Sequence, residues 1–178
     1  MQKTCEQCGR TFDAKNPNHR FCPECFQSRR RGGSGGNRPQ LPNGYLGDGY
    51  FRDPDERVMH PELLTTQAEA VAQAFAQADV SQSQVRRYYT MVRSLKNQLD
   101  AGERFDRVAN KLREMKANVA AIVGREDNKR RRAQLDATLK TFIDRNVDAA
   151  VDDEAAFLEG FVPHFQTVLA YFYYHKPS

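Results

Sequence analysis

Residues 103–123 read ERFDRVANKLREMKANVAAIV. Phe105, Val108, Leu112, Met115, Val119 and Ile122 recur at alternating steps of three and four. That spacing lines apolar side chains along one narrow stripe of an α-helix, the seam by which helices pack in bundles. Arg104, Arg107 and Lys111 form a basic stripe on another face. Gly124 is the expected stop, because glycine adopts the left-handed cap conformation without steric penalty.

Working outward, Gly102 closes a preceding helix that buries Val85, Tyr88, Tyr89, Val92, Leu95 and Leu99. Arg86 and Arg93 fall at the edge of its apolar stripe, with Lys96 nearby. Ser81 or Ser83 offers the N-cap, and Asp79 a break from an earlier helix over 62–78, where Leu64, Ala68, Val71 and Phe75 keep helical spacing. Downstream, REDNKRRR at 125–132 places five positive residues in eight and leads into a fourth helix with Leu135, Leu139, Phe142, Ile143 and Val147 inward. The last helix, from about Asp153 to Tyr174, is apolar on more than one face and is expected to be central or shared with a partner. Asp152, Asp153 and Glu154 sit at its positive dipole end, and Pro163 is expected to kink it. The fold class that follows is all-α, a bundle of about five helices over 61–178.

In front of the bundle lie two segments of different character. Residues 1–27 hold all four cysteines as two Cys-x-x-Cys pairs, Cys5 with Cys8 and Cys22 with Cys25. Paired thiolates at this spacing predict a tetrahedral structural Zn2+ site in a zinc-ribbon-like module, the metal stapling a piece too small for its own core. His19 precedes Cys22 by three residues, but four thiolates already complete the shell. Residues 28–60 are dense in Gly, Pro and Arg and read as a flexible linker. Tyr45, Leu46, Tyr50 and Phe51 are more apolar than a tether requires, which suggests docking onto the bundle or a neighbour.

The net charge of +4 conceals an asymmetry. Residues 86–145 carry sixteen Lys and Arg against eight Asp and Glu, a balance of +8, whereas 146–178 balance at −4 and 1–85 at zero. A basic block of this size attracts phosphate polymers. It is equally a set of solvated helix faces laced with i,i+4 ion pairs. No run is apolar for long enough to span a bilayer, and the N-terminus MQKTCEQCGR lacks the apolar stretch of a secretory signal, so an intracellular, cytoplasmic protein is expected.

Catalysis needs a nucleophile, a base and a site that excludes water, and the sequence offers no such set. GGSGGN at 32–37 shares only glycine content with a phosphate-binding loop and leads into prolines. His60, His164 and His175 are isolated, and His164 on an apolar helix reads as a satisfied core histidine. The chain is expected not to be an enzyme.

Three segments in order carry a resemblance to a known family. SQSQVRRYYTMVRSL at 81–95 resembles the Ser-Gln-x-Arg-Lys-Phe-Tyr segment of the small subunit of type III-A CRISPR effector complexes, the Csm complex. LREMKANVAAIVGRE at 112–126 is similar to that family's Leu-Lys-x-Lys segment and following Gly-Arg, and FLEGFVPHFQTVLAYFYYHK at 157–176 resembles its closing aromatic helix. Arg87 stands where Lys is usual, Asn118 replaces the second Lys, Ala121 stands near the usual Tyr, and Pro163, His164 and Gln166 interrupt a commonly acidic stretch.

The resemblance implies a noncatalytic helical subunit of an antiviral ribonucleoprotein in a prokaryotic cytoplasm. Several copies would stack as an inner filament along guide RNA and target RNA, alongside backbone subunits and a large polymerase-like subunit. Base pairing would read sequence, leaving the protein to hold backbone and shape. Candidate RNA contacts are Arg86, Arg87, Arg93, Lys96, Lys116, Arg125, Lys129, Arg130, Arg131 and Arg132. Arg86, Arg87 and Lys116 match the family's own basic positions, each with the alternative of a salt bridge to a neighbouring helix or copy. Two competing readings are a zinc-dependent DNA-binding transcriptional regulator with a helical dimerisation domain and a helical adaptor that binds only protein.

Overall fold

A computed structural model describes residues 2–5, 10–13, 22–23, 40–126 and 133–176. It divides into two units, Met1–Arg38 and Pro39–Ser178. In the first, strands β1 (Gln2–Thr4) and β2 (Thr11–Asp13) pair antiparallel, with Thr4 opposite Thr11. The Cys5 amide continues the pairing by donating to the Arg10 carbonyl at 2.9 Å. Cys5 and Cys22 are both buried.

The second unit contains a short antiparallel hairpin, β3 (Phe51–Asp53) with β4 (Val58–Met59), a 3-10 turn at Pro61–Leu64, and five α-helices among the described residues. These are α1 (Thr66–Gln77), α2 (Gln82–Asp100), α3 (Phe105–Glu126), α4 (Ala133–Ala150) and α5 (Val162–His175). The expected all-α bundle of about five helices is thus observed. Its turns are built by local chemistry. Asp79, at φ +55°, caps α1, with Val80 N–H bonded to Phe75 O and Asp79 N–H to Ala76 O. Gly102, at φ +92°, repeats the arrangement at the end of α2 through Glu103 N–H to Gln98 O and Gly102 N–H to Leu99 O. This two-bond cap satisfies carbonyls that the helix leaves open. Ser81 opens α2 with a reciprocal capping box to Gln84.

The seam residues Val108, Leu112, Met115 and Val119 are buried, as are Leu139, Phe142, Ile143 and Val147 of α4. Helix α3 packs on α4 and α2, while α5 packs on α1, α2 and the 3-10 turn and is central, as its apolar circumference implied.

Three expectations need correction. The helix expected at 62–78 begins as the 3-10 turn and becomes α-helical only at Thr66. Gly124 does not stop α3, which runs on to Glu126; an interior glycine costs only about 1 kcal/mol, which neighbouring helical residues outweigh. The last helix opens with a π-helical stretch, Ala156–Phe161, before α5. Pro163 explains it: proline has no N–H and crowds the carbonyl four residues back, so the chain widens to the five-residue bond Val162 N–H to Phe157 O.

In the segment read as linker, 28–60, the docking suggested for its apolar residues is observed. From Pro39 onward it belongs to the helical unit, and Tyr45 and Tyr50 are buried in the core. Their hydroxyls explain the docking. Tyr50 donates to Asn146 Oδ1 at 2.8 Å, and Asn146 Nδ2 donates to Tyr45 Oη at 2.8 Å and to Phe142 O at 2.7 Å. Tyr45 donates in turn to His164 Nε2, and His164 Nδ1–H donates to the Leu63 carbonyl, both at 2.6 Å. A carbonyl only accepts, so the proton of the neutral ring sits on Nδ1. Each polar atom that enters the core here finds a partner, which removes most of the penalty for burying it.

Candidate nucleic-acid interface

Helix α2 divides into a buried stripe of Val85, Tyr88, Val92 and Leu95 and an exposed face carrying Arg86, Arg87 and Arg93. At the border of the two, Arg86, Tyr89, Thr90, Arg93, Ser94 and Asn97 follow the three-, four- and seven-residue steps of one helix edge. Leu169 and Tyr173 of α5, four residues apart, face that edge, and the two rows enclose an open groove of about 410 Å³. Leu169 is nearly fully buried and forms the floor.

Arg86 is held in place over this groove. Its Nε donates to Tyr173 Oη at 2.9 Å, and its guanidinium carbon lies 5.6 Å from the Tyr173 ring centroid, a cation–π contact. Both terminal guanidinium nitrogens remain outside that bond. Among the described residues, no carboxylate forms an ion pair with Arg86, Arg87 or Arg93. Arg87 is one position from Arg86 and projects from the exposed face beside the groove rather than into it.

The other basic candidates are placed differently. Lys96 pairs with Asp100 at 2.5 Å along α2, and Lys116 pairs with Asp148 at 2.5 Å, joining α3 to α4. Arg113 reaches Asp152 at 3.0 Å, and two cations of the basic stripe are tied locally, Arg104 with Asp106 and Arg107 with Glu103. Such exposed pairs are worth at most about 1 kcal/mol and weaken with salt, but each spends a cation's charge inside the protein. Arg125 lies in the last turn of α3, and its side chain lies outside the described residues, as do Lys129, Arg130, Arg131 and Arg132. The groove therefore singles out Arg86 and Arg93 from the ten candidates. Tyr173 and Leu169, its far wall and floor, were not singled out as contacts in the sequence; the aromatic run at 171–174 was the available signal.

His164 is fully buried, and burial pushes its pKa down to about 4, partly opposed by its bond to Leu63. Burial likewise raises the Tyr45 and Tyr50 hydroxyls above the ordinary phenol value. His175 pairs with Glu69 at 3.0 Å at the end of α5. Among the described residues no group of three or more His, Cys, Asp or Glu is placed to hold a metal; Cys8 and Cys25 lie outside them. Nor is any described helix long and apolar enough to cross a membrane.

A family model described as Csm2 Type III-A matches residues 59–178, more than half of the chain. No curated protein matches, and no solved structure does. The matched span contains all five helices and both walls of the groove, and the chain belongs to the Csm2 family, the small subunit of the type III-A CRISPR-Cas effector, the Csm complex.

Proposed function

We propose that the chain acts as a noncatalytic subunit that holds the guide and target RNA backbone without reading sequence, stacking with further copies of itself as an inner filament beside the backbone and polymerase-like subunits. The observation that carries this reading is the groove rim, where Arg86 and Arg93 lie exposed and without carboxylate partners among the described residues, while most other described cations on α2 and α3 are neutralised internally. Arginine holds a phosphate through two parallel N–H donors, a geometry lysine lacks. Affinity in the assembled complex then comes from several copies acting on one strand.

Each phosphate neutralised on a single strand contributes about 0.7 to the slope of log affinity against log salt. Arg93→Ala is expected to lower the slope by about that amount and the affinity for single-stranded RNA severalfold. Lys116→Ala, which removes a cation already paired with Asp148, is expected to change both less. Titrations of labelled RNA at three salt concentrations decide it, and an Arg93→Ala slope equal to wild type would sink the reading. Purification of the tagged chain from its native cell with short guide RNAs and the other effector subunits tests the assembly.

We further propose that Cys5, Cys8, Cys22 and Cys25 hold a structural Zn2+. Two observations fit: the Cys5 amide donates to the Arg10 carbonyl next to the β1–β2 pairing, and Cys5 and Cys22 are buried. Thiolates are the ligands zinc prefers in closed structural sites. Cys5→Ser/Cys22→Ser is expected to abolish bound zinc, measured by atomic emission, while the far-UV helical signal persists. Retained zinc would refute the assignment; a lost helical signal would show that both units fold as one.

A further inference from the structure

We infer that the groove between α2 and α5 receives an unpaired nucleobase, so that the subunit grips RNA by a base as well as by phosphates; this rests on the RNA-binding reading above. A surface that holds only backbone needs cations and no cavity. This one has a cavity of about 410 Å³, ample for a base with its ribose, with a Leu169 floor and one tyrosine on each wall. Tyr89 is packed edge-on against Phe165, with ring centroids 5.6 Å apart, and Tyr173 is fixed by Arg86. Both rings are therefore set in place before any ligand arrives, which reduces the ordering cost of binding. Every base has a π-face, so aromatic walls accept bases without choosing among them, as backbone-directed binding requires.

The cations are spaced for this occupant. Arg86 and Arg93 are seven residues apart, about 10 Å along α2, one toward each end of the groove. Arg86 spends Nε on Tyr173 and keeps its two terminal nitrogens for a phosphate, while its guanidinium plane adds a second stacking surface. Asn97 and Ser94 supply neutral donors and acceptors at the far end, suited to a ribose hydroxyl. An acidic peptide would use the arginines but leave the flat aromatic walls without a matching partner.

The test compares a single-stranded RNA of mixed sequence with an abasic RNA of the same length and charge, using the full chain and fluorescence anisotropy. Wild type is expected to prefer the intact RNA by roughly tenfold, the scale of stacking on an aromatic ring. Tyr89→Leu should erase that preference without altering the salt slope, and Tyr89→Phe should keep it. Arg93→Ala should weaken both RNAs alike. Equal wild-type affinity for intact and abasic RNA overturns the base inference and leaves backbone binding standing. Failure to bind either RNA at low salt overturns both. A preference that survives Tyr89→Leu overturns the assignment to this groove.

Discussion

Acidification from pH 6.5 to 4 is expected to remove about 3 kcal/mol from the stability of the helical unit through His164 alone. Burial holds the folded imidazole at about 4, against an ordinary 6.5. Between those values the unfolded chain binds a proton that the folded chain refuses, so stability rises with pH across the window. The contribution is present in full above about 6.5 and disappears as pH falls to about 4, at roughly 1.4 kcal/mol for each tenfold change in proton concentration. The ring's partners leave a second proton no acceptor. Nε2 accepts from Tyr45, whose oxygen already accepts from Asn146, so a proton on Nε2 would face a hydroxyl already committed on both sides. Urea titrations between pH 7 and 5 measure this before the carboxylates dominate. His164→Gln, which retains one donor and one acceptor, is expected to be less stable at pH 7 but nearly flat over that range. An unchanged slope in the variant would place the titrating group elsewhere.

That histidine also marks how far the sequence could be read. The helices were legible because their information is local: Ser81 with Gln84, Asp79, Gly102 and the seam of α3 all act within a few residues. The docking of Tyr45 and Tyr50 was legible from their apolarity, but their partners were not, because these lie roughly a hundred positions away, in α4 and α5. A Gly- and Pro-rich stretch has no periodicity to announce which face it will bury. The same distance limits the interface. Ten cations looked alike in sequence, and only folding pairs Lys116 with Asp148 while bringing Tyr173 beneath Arg86. Charge counting identified the region. Which charges remain available is a property of tertiary structure, because an ion pair between helices has no sequence signature.

Gly160→Ala is expected to destabilise the helical unit by about 2 to 4 kcal/mol, although alanine is the better helix former by about 1 kcal/mol. A Cβ at position 160 would lie 2.5 Å from Tyr50 Cγ, 2.6 Å from Cδ2 and 2.9 Å from Cβ. These atoms belong to the root of a buried side chain, not to a flexible tip, so the ring cannot swing clear on its own. Moving it would break the bond from Tyr50 to Asn146 Oδ1 and leave a buried acceptor without a donor, a cost of about 1 to 3 kcal/mol on top of the overpacking. Gly160 sits within the π-helical stretch before Pro163, so the widened turn and the absent side chain together form the seat for Tyr50. The clash is pairwise and has a pairwise test. In a double-mutant cycle, Gly160→Ala should cost far less in a Tyr50→Ala background, where the obstructing ring is gone and helix propensity alone favours alanine. Equal costs in the two backgrounds would mean that position 160 is sensitive for a reason other than Tyr50. A large coupling would establish that the segment from Pro39 onward is held to the bundle by this contact as well as by its hydroxyl network.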